Sequence, residues 1–176
     1  TQSAGLNIRP DGTYLITGGL SGLGLLTAEW LVEKGARSLA LMGRRAPDDT
    51  ARTTMARMEA AGVQVLVVQG DVSQERDVAH ALAAIAGDRP LLRGIIHSAG
   101  ALDDGALVQQ DWTRFANVFG AKVDGAWYLH TLTVGLPLDF FVLYSSVASL
   151  LGSRGQGNHA AANAFMDALA YHRRAQ

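Results

Sequence analysis

Short β-branched runs alternate with helical patterns from about residue 12 onward, and this rhythm constrains the fold more than any single motif does. The runs are Thr13–Thr17, Ser38–Met42, Gln64–Gln69, Leu92–His97 and Phe140–Ser145. Helical periodicity covers Leu25–Lys34, Thr50–Ala61, Gln74–Ala86, Thr113–Leu132 and Asn158–Arg174. A helix between two strands returns the chain to the same end of the sheet, so consecutive strands run parallel and both faces are covered. The expectation is therefore an α/β fold built on a doubly wound parallel sheet. Gly35 and Gly62 stand where helices should stop, and Ser73 where the third should be N-capped. Residues 1–11, with Gly5, Pro10 and Asp11-Gly12, read as a linker leading into one domain over 12–176.

A chain of 176 residues with 48% hydrophobic and 18% charged side chains can bury a core of its own, which excludes a disordered tail. Fifteen basic and sixteen acidic residues give a net charge of −1, with no positive field for nucleic acid or anionic membrane. No apolar run approaches membrane-spanning length. The lack of cysteine removes disulfide and thiolate chemistry and suits a reducing compartment; a cytoplasmic protein is expected. No histidine stands in a ligand-like cluster with carboxylates, so no metal site is expected.

Directly after the first strand, and opening the first helix, comes Thr17-Gly18-Gly19-Leu20-Ser21-Gly22-Leu23-Gly24. Glycines here let the backbone turn sharply and approach a ligand, while N–H groups at the helix start form an anion site for a pyrophosphate. The Gly-Lys-Ser/Thr ending of a nucleotide-hydrolysing loop is absent, so a dinucleotide in a Rossmann-type fold is favoured over ATP. After the second strand, where an acidic residue would take the ribose hydroxyls of NAD, stand Arg44 and Arg45. A guanidinium can pair bidentately with a 2′-phosphate, which makes NADPH the expected cofactor. Asp71-Val72 and Ser98-Ala99-Gly100 follow the third and fourth strands, at the carboxyl ends where an open sheet places its ligand.

Thr17–Gly24, Gly70-Asp71-Val72, His97-Ser98-Ala99-Gly100, the segment from Lys122 to Trp127, Ser145-Ser146 and the segment from Gly155 to Phe165 together resemble the ketoreductase domain of modular polyketide synthases, relatives of the short-chain dehydrogenases/reductases. The likeness covers about residues 10–176. It implies NADPH-dependent reduction of a β-ketoacyl thioester, held on an acyl carrier protein within the same megasynthase, to the β-hydroxyacyl form. It also implies a Ser, a Tyr, a Lys and an Asn around the reacting carbonyl. Ser146 matches the Ser, Lys122 the Lys and Asn163 the Asn; the Tyr position holds His159.

Reduction develops negative charge on the carbonyl oxygen, which calls for hydrogen-bond donors and a proton source. A phenol would have its high pKa lowered by a nearby ammonium. An imidazolium is intrinsically the stronger acid, so His159 can serve, although its ring is shorter than phenol and Lys122 beside it disfavours the charged form. No other tyrosine substitutes: Tyr144 lies two strand residues before Ser146, Tyr128 turns to another side of its helix, and Tyr171 is three turns beyond His159. His97, at a strand end, is expected to pack.

Leu102-Asp103-Asp104 resembles the fingerprint of ketoreductases that give a D-configured hydroxyl, and Leu151 stands where the opposite class carries Trp. With Ser145 and Asn158, these are the expected substrate-orienting residues. The same resemblance implies a further strand and a helical lid beyond Gln176 and a structural subdomain before Thr1, leaving Phe140–Ser145 as an apolar edge. Two alternatives remain open: a reductively inactive scaffold domain of a polyketide synthase, and a free-standing short-chain dehydrogenase. Such free enzymes usually place their Lys four residues after the Tyr position, against the Lys122/Asn163 arrangement.

Overall fold

The structure is a computed structural model that describes residues 7–175. Five parallel strands, β1 (Thr13–Thr17), β2 (Ser38–Gly43), β3 (Gln64–Gln69), β4 (Leu92–His97) and β5 (Phe140–Leu143), form one sheet in the order β3-β2-β1-β4-β5. The helices are α1 (Gly22–Glu33), α2 (Asp49–Ala60), α3 (Glu75–Asp88), α4 (Trp112–Phe119), α5 (Gly125–Thr131), α6 (Ala148–Leu151) and α7 (Gly157–Arg174). The doubly wound parallel sheet expected from the sequence is the fold observed.

Strand alternation sends neighbouring side chains to opposite faces, and both faces are apolar. Tyr14, Ile16, Leu39 and Leu41 pack with Ala28 and Leu31 of α1 and Met55 and Met58 of α2. Leu15, Ala40, Met42 and Ile95 meet Val78, Ala81 and Ile85 of α3 and Leu129 of α5. Ala126, Met166 and Leu169 close a smaller cluster between α5 and α7. The chain reverses its direction of growth between β1 and β4, so their carboxyl ends open a crevice not bridged by a crossover.

Three expectations need correction. Ser73 does not cap α3: its N–H and hydroxyl both donate to Asp71 Oδ1, and the N-cap position is Gln74, without a side-chain bond. β5 ends at Leu143, two residues early, because the Ser145 N–H turns back to the Leu143 carbonyl. The helix expected over Thr113–Leu132 is interrupted by a π turn, Gly120–Asp124, that carries Lys122. Gly35 (φ 110°) and Gly62 (φ 81°) do follow α1 and α2 in the left-handed region, as helix stops require. β5 lies at the sheet edge with all four residues half-buried; Phe140 stacks on Tyr14 at 5.5 Å and Arg173 lies 4.0 Å over Phe141. Residues 1–6 of the expected linker lie outside the described residues.

Candidate active site

A cleft of about 970 Å³ opens at the carboxyl ends of the strands. One wall is the loop from β1 into α1. Gly18 adopts φ 70°, and a Cβ there would sit 2.8 Å from the Ala99 nitrogen. A Cβ on Gly24 would lie 2.2 Å from the Gly18 carbonyl oxygen, so only glycine lets α1 begin this close to the turn. The Gly18 and Gly19 N–H groups donate to the Met42 carbonyl, and Ser98 Oγ donates to the Thr17 carbonyl at 2.7 Å, locking the loop to β2 and to the end of β4. Ser21, at the N-cap of α1, makes no side-chain cap bond, leaving the helix start open to an anion. Leu20 turns inward, packing beneath Gly43, while Leu23 is exposed.

Along the cleft, Arg44 and Arg45 are exposed and neither guanidinium has a carboxylate partner among the described residues. Asp71 fixes the next turn by accepting from Ser73, and its own N–H donates to Asp77 Oδ2 at 2.8 Å. Val72 is buried against Gly125, where a Cβ would come within 3.0 Å of it. Ala99 and Gly100 line the far side; a Cβ on Gly100 would press on Lys122 Cε at 3.2 Å.

Lys122 is only 7% exposed. Its Nζ donates to the Tyr144 carbonyl and to Asn163 Oδ1, both at 3.0 Å, leaving one N–H of the ammonium. Burial lowers its pKa below the ordinary lysine value. Asn163, fully buried, donates back along α7 to the His159 carbonyl at 2.7 Å. The His159 backbone N–H is held by Asn158 Oδ1 at 2.8 Å. Its side-chain Nδ1 is buried without a hydrogen-bond partner. Burial, and then Lys122, lower the imidazole pKa, with Asp104 acting weakly in the opposite sense. Lys122, Asn163 and His159 thus form one connected group, and Lys122 and His159 line the cleft. Ser146 follows β5 next to the cleft-lining Ser145 but, like Asn163, is not itself part of the lining; its Oγ accepts from the Ala148 N–H at 3.2 Å, which leaves the hydroxyl proton free to be donated.

Tyr144 lines the cleft, but the hydroxyls of the four tyrosines are placed elsewhere or outside it. Tyr144 OH lies 2.6 Å from Thr27 Oγ1 on the α1 side, Tyr128 packs in the α3 face of the core, Tyr14 is fully buried in the sheet, and Tyr171 is exposed. His97 does pack. It is fully buried, its pKa is lowered to about 4 by desolvation and by Lys122, and it is neutral. Thr17 Oγ1 donates to its Nδ1 at 2.6 Å and its Nε2–H donates to the Ala121 carbonyl at 2.9 Å, joining the end of β1 to the π turn. That strut was not legible from the sequence as more than core packing.

Of the expected substrate-orienting residues, Leu102 and Ser145 line the cleft. Asp103 and Asp104 do not: Asp103 binds Arg114 and Asn117 of α4, and Asp104 Oδ2 accepts from Gln156 at 3.0 Å. Asn158 is fully buried, its amide committed to the backbone. Leu151 is exposed on α6, away from the cleft lining. Arg114, Asn117 and Gln156 were not singled out in the sequence; each pairs with a residue distant along the chain, and no local pattern marks them. Among the described residues no group of three or more His, Cys, Asp or Glu could hold a metal, and no helix is long and apolar enough to cross a membrane.

The model of the KR domain family matches residues 12–176. The chain is 46% identical over 168 residues to Polyketide synthase GfsB of Streptomyces halstedii, covering 94% of this chain and 3% of that protein. It is 47% identical over 166 residues to Mycoketide-CoA synthase of Mycobacterium tuberculosis, covering 93% and 4%. Among solved structures, an N-terminal ketoreductase from the macrolactin assembly line superposes with a TM-score of 0.89 at 34% identity, over 96% of this chain and 35% of that one. An A1-type ketoreductase gives 0.88 at 40% identity, over 97% and 37%. The chain thus spans a small part of these synthases and somewhat over a third of each solved ketoreductase. Parallel sheet, glycine loop, cleft and profile agree, and the chain belongs to the KR domains of modular polyketide synthases, an oxidoreductase family of the short-chain dehydrogenase/reductase kind.

Proposed function

We propose that this chain holds NADPH in the cleft and reduces a β-ketoacyl thioester, delivered on an acyl carrier protein of the same synthase, to the β-hydroxyacyl form. The observation that carries the reading is the buried Lys122–Asn163 pair beside His159, in the same cleft as the glycine loop. The residues present fit a dinucleotide phosphate: glycine at position 24 lets α1 start tight against the turn at Gly18, the start of α1 has no side-chain cap, and among the described residues Arg44 and Arg45 have no competing carboxylate. When bound, such a cofactor supplies hydride to the carbonyl carbon.

The remaining work falls to the chain. Ser146 donates its hydroxyl proton as a hydrogen bond to the carbonyl oxygen, and Lys122, with its remaining N–H, keeps the site positive as charge develops. His159, as imidazolium, transfers the proton. Because burial and Lys122 hold its pKa below 6.5, the protonated fraction at neutral pH is small and rises on acidification, so reduction should quicken as pH falls below 6.5. Leu102, set by the Asp103 and Asp104 anchors, supports a D-configured product.

A second reading rests on the same residue: an imidazole kept neutral, with Nδ1 unpartnered, suits a domain retained as a scaffold without reducing. Incubation of the full polypeptide with NADPH and a β-ketoacyl thioester separates the two. Turnover that rises toward acid and loses that rise in His159→Tyr supports the working acid. No native turnover, with activity appearing in His159→Tyr, supports the scaffold; failure to bind NADPH on titration removes the cofactor assignment.

A further inference from the structure

We infer that Arg114 is a positioning residue of this site, and that Asp103 and Asp104 act on substrate orientation by anchoring the loop 101–105 through it, leaving Leu102 as the side chain of that triplet that meets the substrate. The inference rests on the reductase reading for its consequence, but its physical basis stands apart from it.

The Asp103 carboxylate is used on both oxygens by α4: Oδ1 accepts from Arg114 Nη1 and Oδ2 from Asn117 Nδ2 at 2.8 Å. The same Arg114 nitrogen donates to the Asp104 carbonyl at 2.9 Å. Asn158 Nδ2 reaches the Asp103 carbonyl at 2.8 Å and the Arg114 carbonyl at 3.2 Å, so one buried amide ties the loop, α4 and the start of α7 together. Its Oδ1 meanwhile holds the His159 N–H. Gly105 N–H donates to the Gly155 carbonyl at 2.8 Å, completing a loop fastened on two sides. Arg114 is itself fixed, its N–H taken by the Asp111 side chain that caps α4.

Both Asp103 oxygens are bonded to α4 and Asp104 Oδ2 to Gln156, and neither residue is part of the cleft lining, whereas Leu102 lines it at 64% exposure. A charged, forked donor suits this place, because one nitrogen must serve a carboxylate and a carbonyl at once. Loss of the guanidinium frees the loop without touching cofactor, and the face offered to an incoming ketoacyl chain is then no longer single.

The test uses Arg114→Met, Asp103→Asn and their combination in the full polypeptide. Amide exchange over 101–105 is the readout independent of turnover. It should rise roughly fivefold to tenfold in each variant, the value of one partly exposed charge-assisted bond, and the double variant should add little to either single. With an α-substituted β-ketoacyl thioester, both single variants should give the same raised KM and the same erosion of the hydroxyl configuration, with NADPH affinity unchanged. Exchange that stays at the native level in Arg114→Met overturns the anchor. So does a changed configuration in Asp103→Asn with a native one in Arg114→Met, since the carboxylate would then act on substrate directly. If exchange responds as stated while no variant or native protein turns over, the anchor stands and the reductase reading fails.

Discussion

Gly24→Ala is the sharpest probe of the cleft, because the structure fixes what the added methyl meets. A Cβ at residue 24 would lie 2.2 Å from the Gly18 carbonyl oxygen, 2.7 Å from the Gly18 carbonyl carbon and 2.6 Å from Ser98 Oγ. The first two are backbone atoms in a turn already held by the Met42 carbonyl, so they cannot rotate aside. Ordinary contact needs α1 to retreat by about 1 Å, which places the cost at or above the upper end of the roughly 1–3 kcal/mol typical of overpacking. The retreat also moves the N–H groups at the helix start away from where a pyrophosphate would sit, and a misplacement of that size weakens NADPH binding about tenfold to a hundredfold. Gly87→Ala is the matched control: it lies in α3, a Cβ there meets nothing within 4 Å, and its helix gains about 0.5–1 kcal/mol from the better helix former. Chemical denaturation with a parallel fluorescence titration of NADPH measures both effects. A Gly24→Ala protein with native stability and an affinity within twofold of native would refute the reasoning, since the loop would then have slack that the distances deny.

Three further outcomes are expected. Replacing both Arg44 and Arg45 by Ala should weaken NADPH about tenfold or more, the scale of a lost charge-assisted pair, while leaving NADH unchanged in a side-by-side titration. His97 is neutral when folded, with a pKa near 4 against 6.5 for the ordinary imidazole. The unfolded chain therefore binds the extra proton first. Stability falls as pH drops from 6.5 toward 4, by about 3 kcal/mol in all, and is flat above that window; the slope in a urea series should be smaller in His97→Asn. His159→Tyr should abolish the acid-side rise in reduction rate, followed as NADPH oxidation across pH 5–8.

Strand boundaries were the most legible part of the fold. β1, β3 and β4 begin and end where their apolar runs do, because each is bounded by a turn or a helix cap that the sequence spells out. β5 was overextended because Tyr144 and Ser145 continue its pattern, while the backbone leaves the ladder for the Lys122 contact and the turn into α6. The candidate site was legible wherever residues sit at strand ends or in the glycine loop, since topology alone brings those together. The anchor of the loop 101–105 was not: Arg114, Asn117 and Asn158 lie 11, 14 and 55 residues from Asp103, and only the packing of α4 against α7 joins them. His97 was placed correctly as a packed residue, yet one of its two hydrogen bonds, to the Ala121 carbonyl, depends on a π turn that periodicity does not reveal.

That π turn divides one helix between two obligations. Each residue advances a helix by about 100°, so one extra residue rotates everything after it by that amount. Before the turn, α4 presents Arg114 and Asn117 to the loop and buries Val118; after it, α5 buries Ala126 and Leu129 in two separate clusters of the core. Lys122 occupies the point where the angular frame changes. A regular helix over the same residues could aim the lysine or seat the core, but not both. Removing any one residue between Gly120 and Asp124 should therefore give a longer, smoother helix and a poorer protein, in which the chemistry and the packing compete for the same turn.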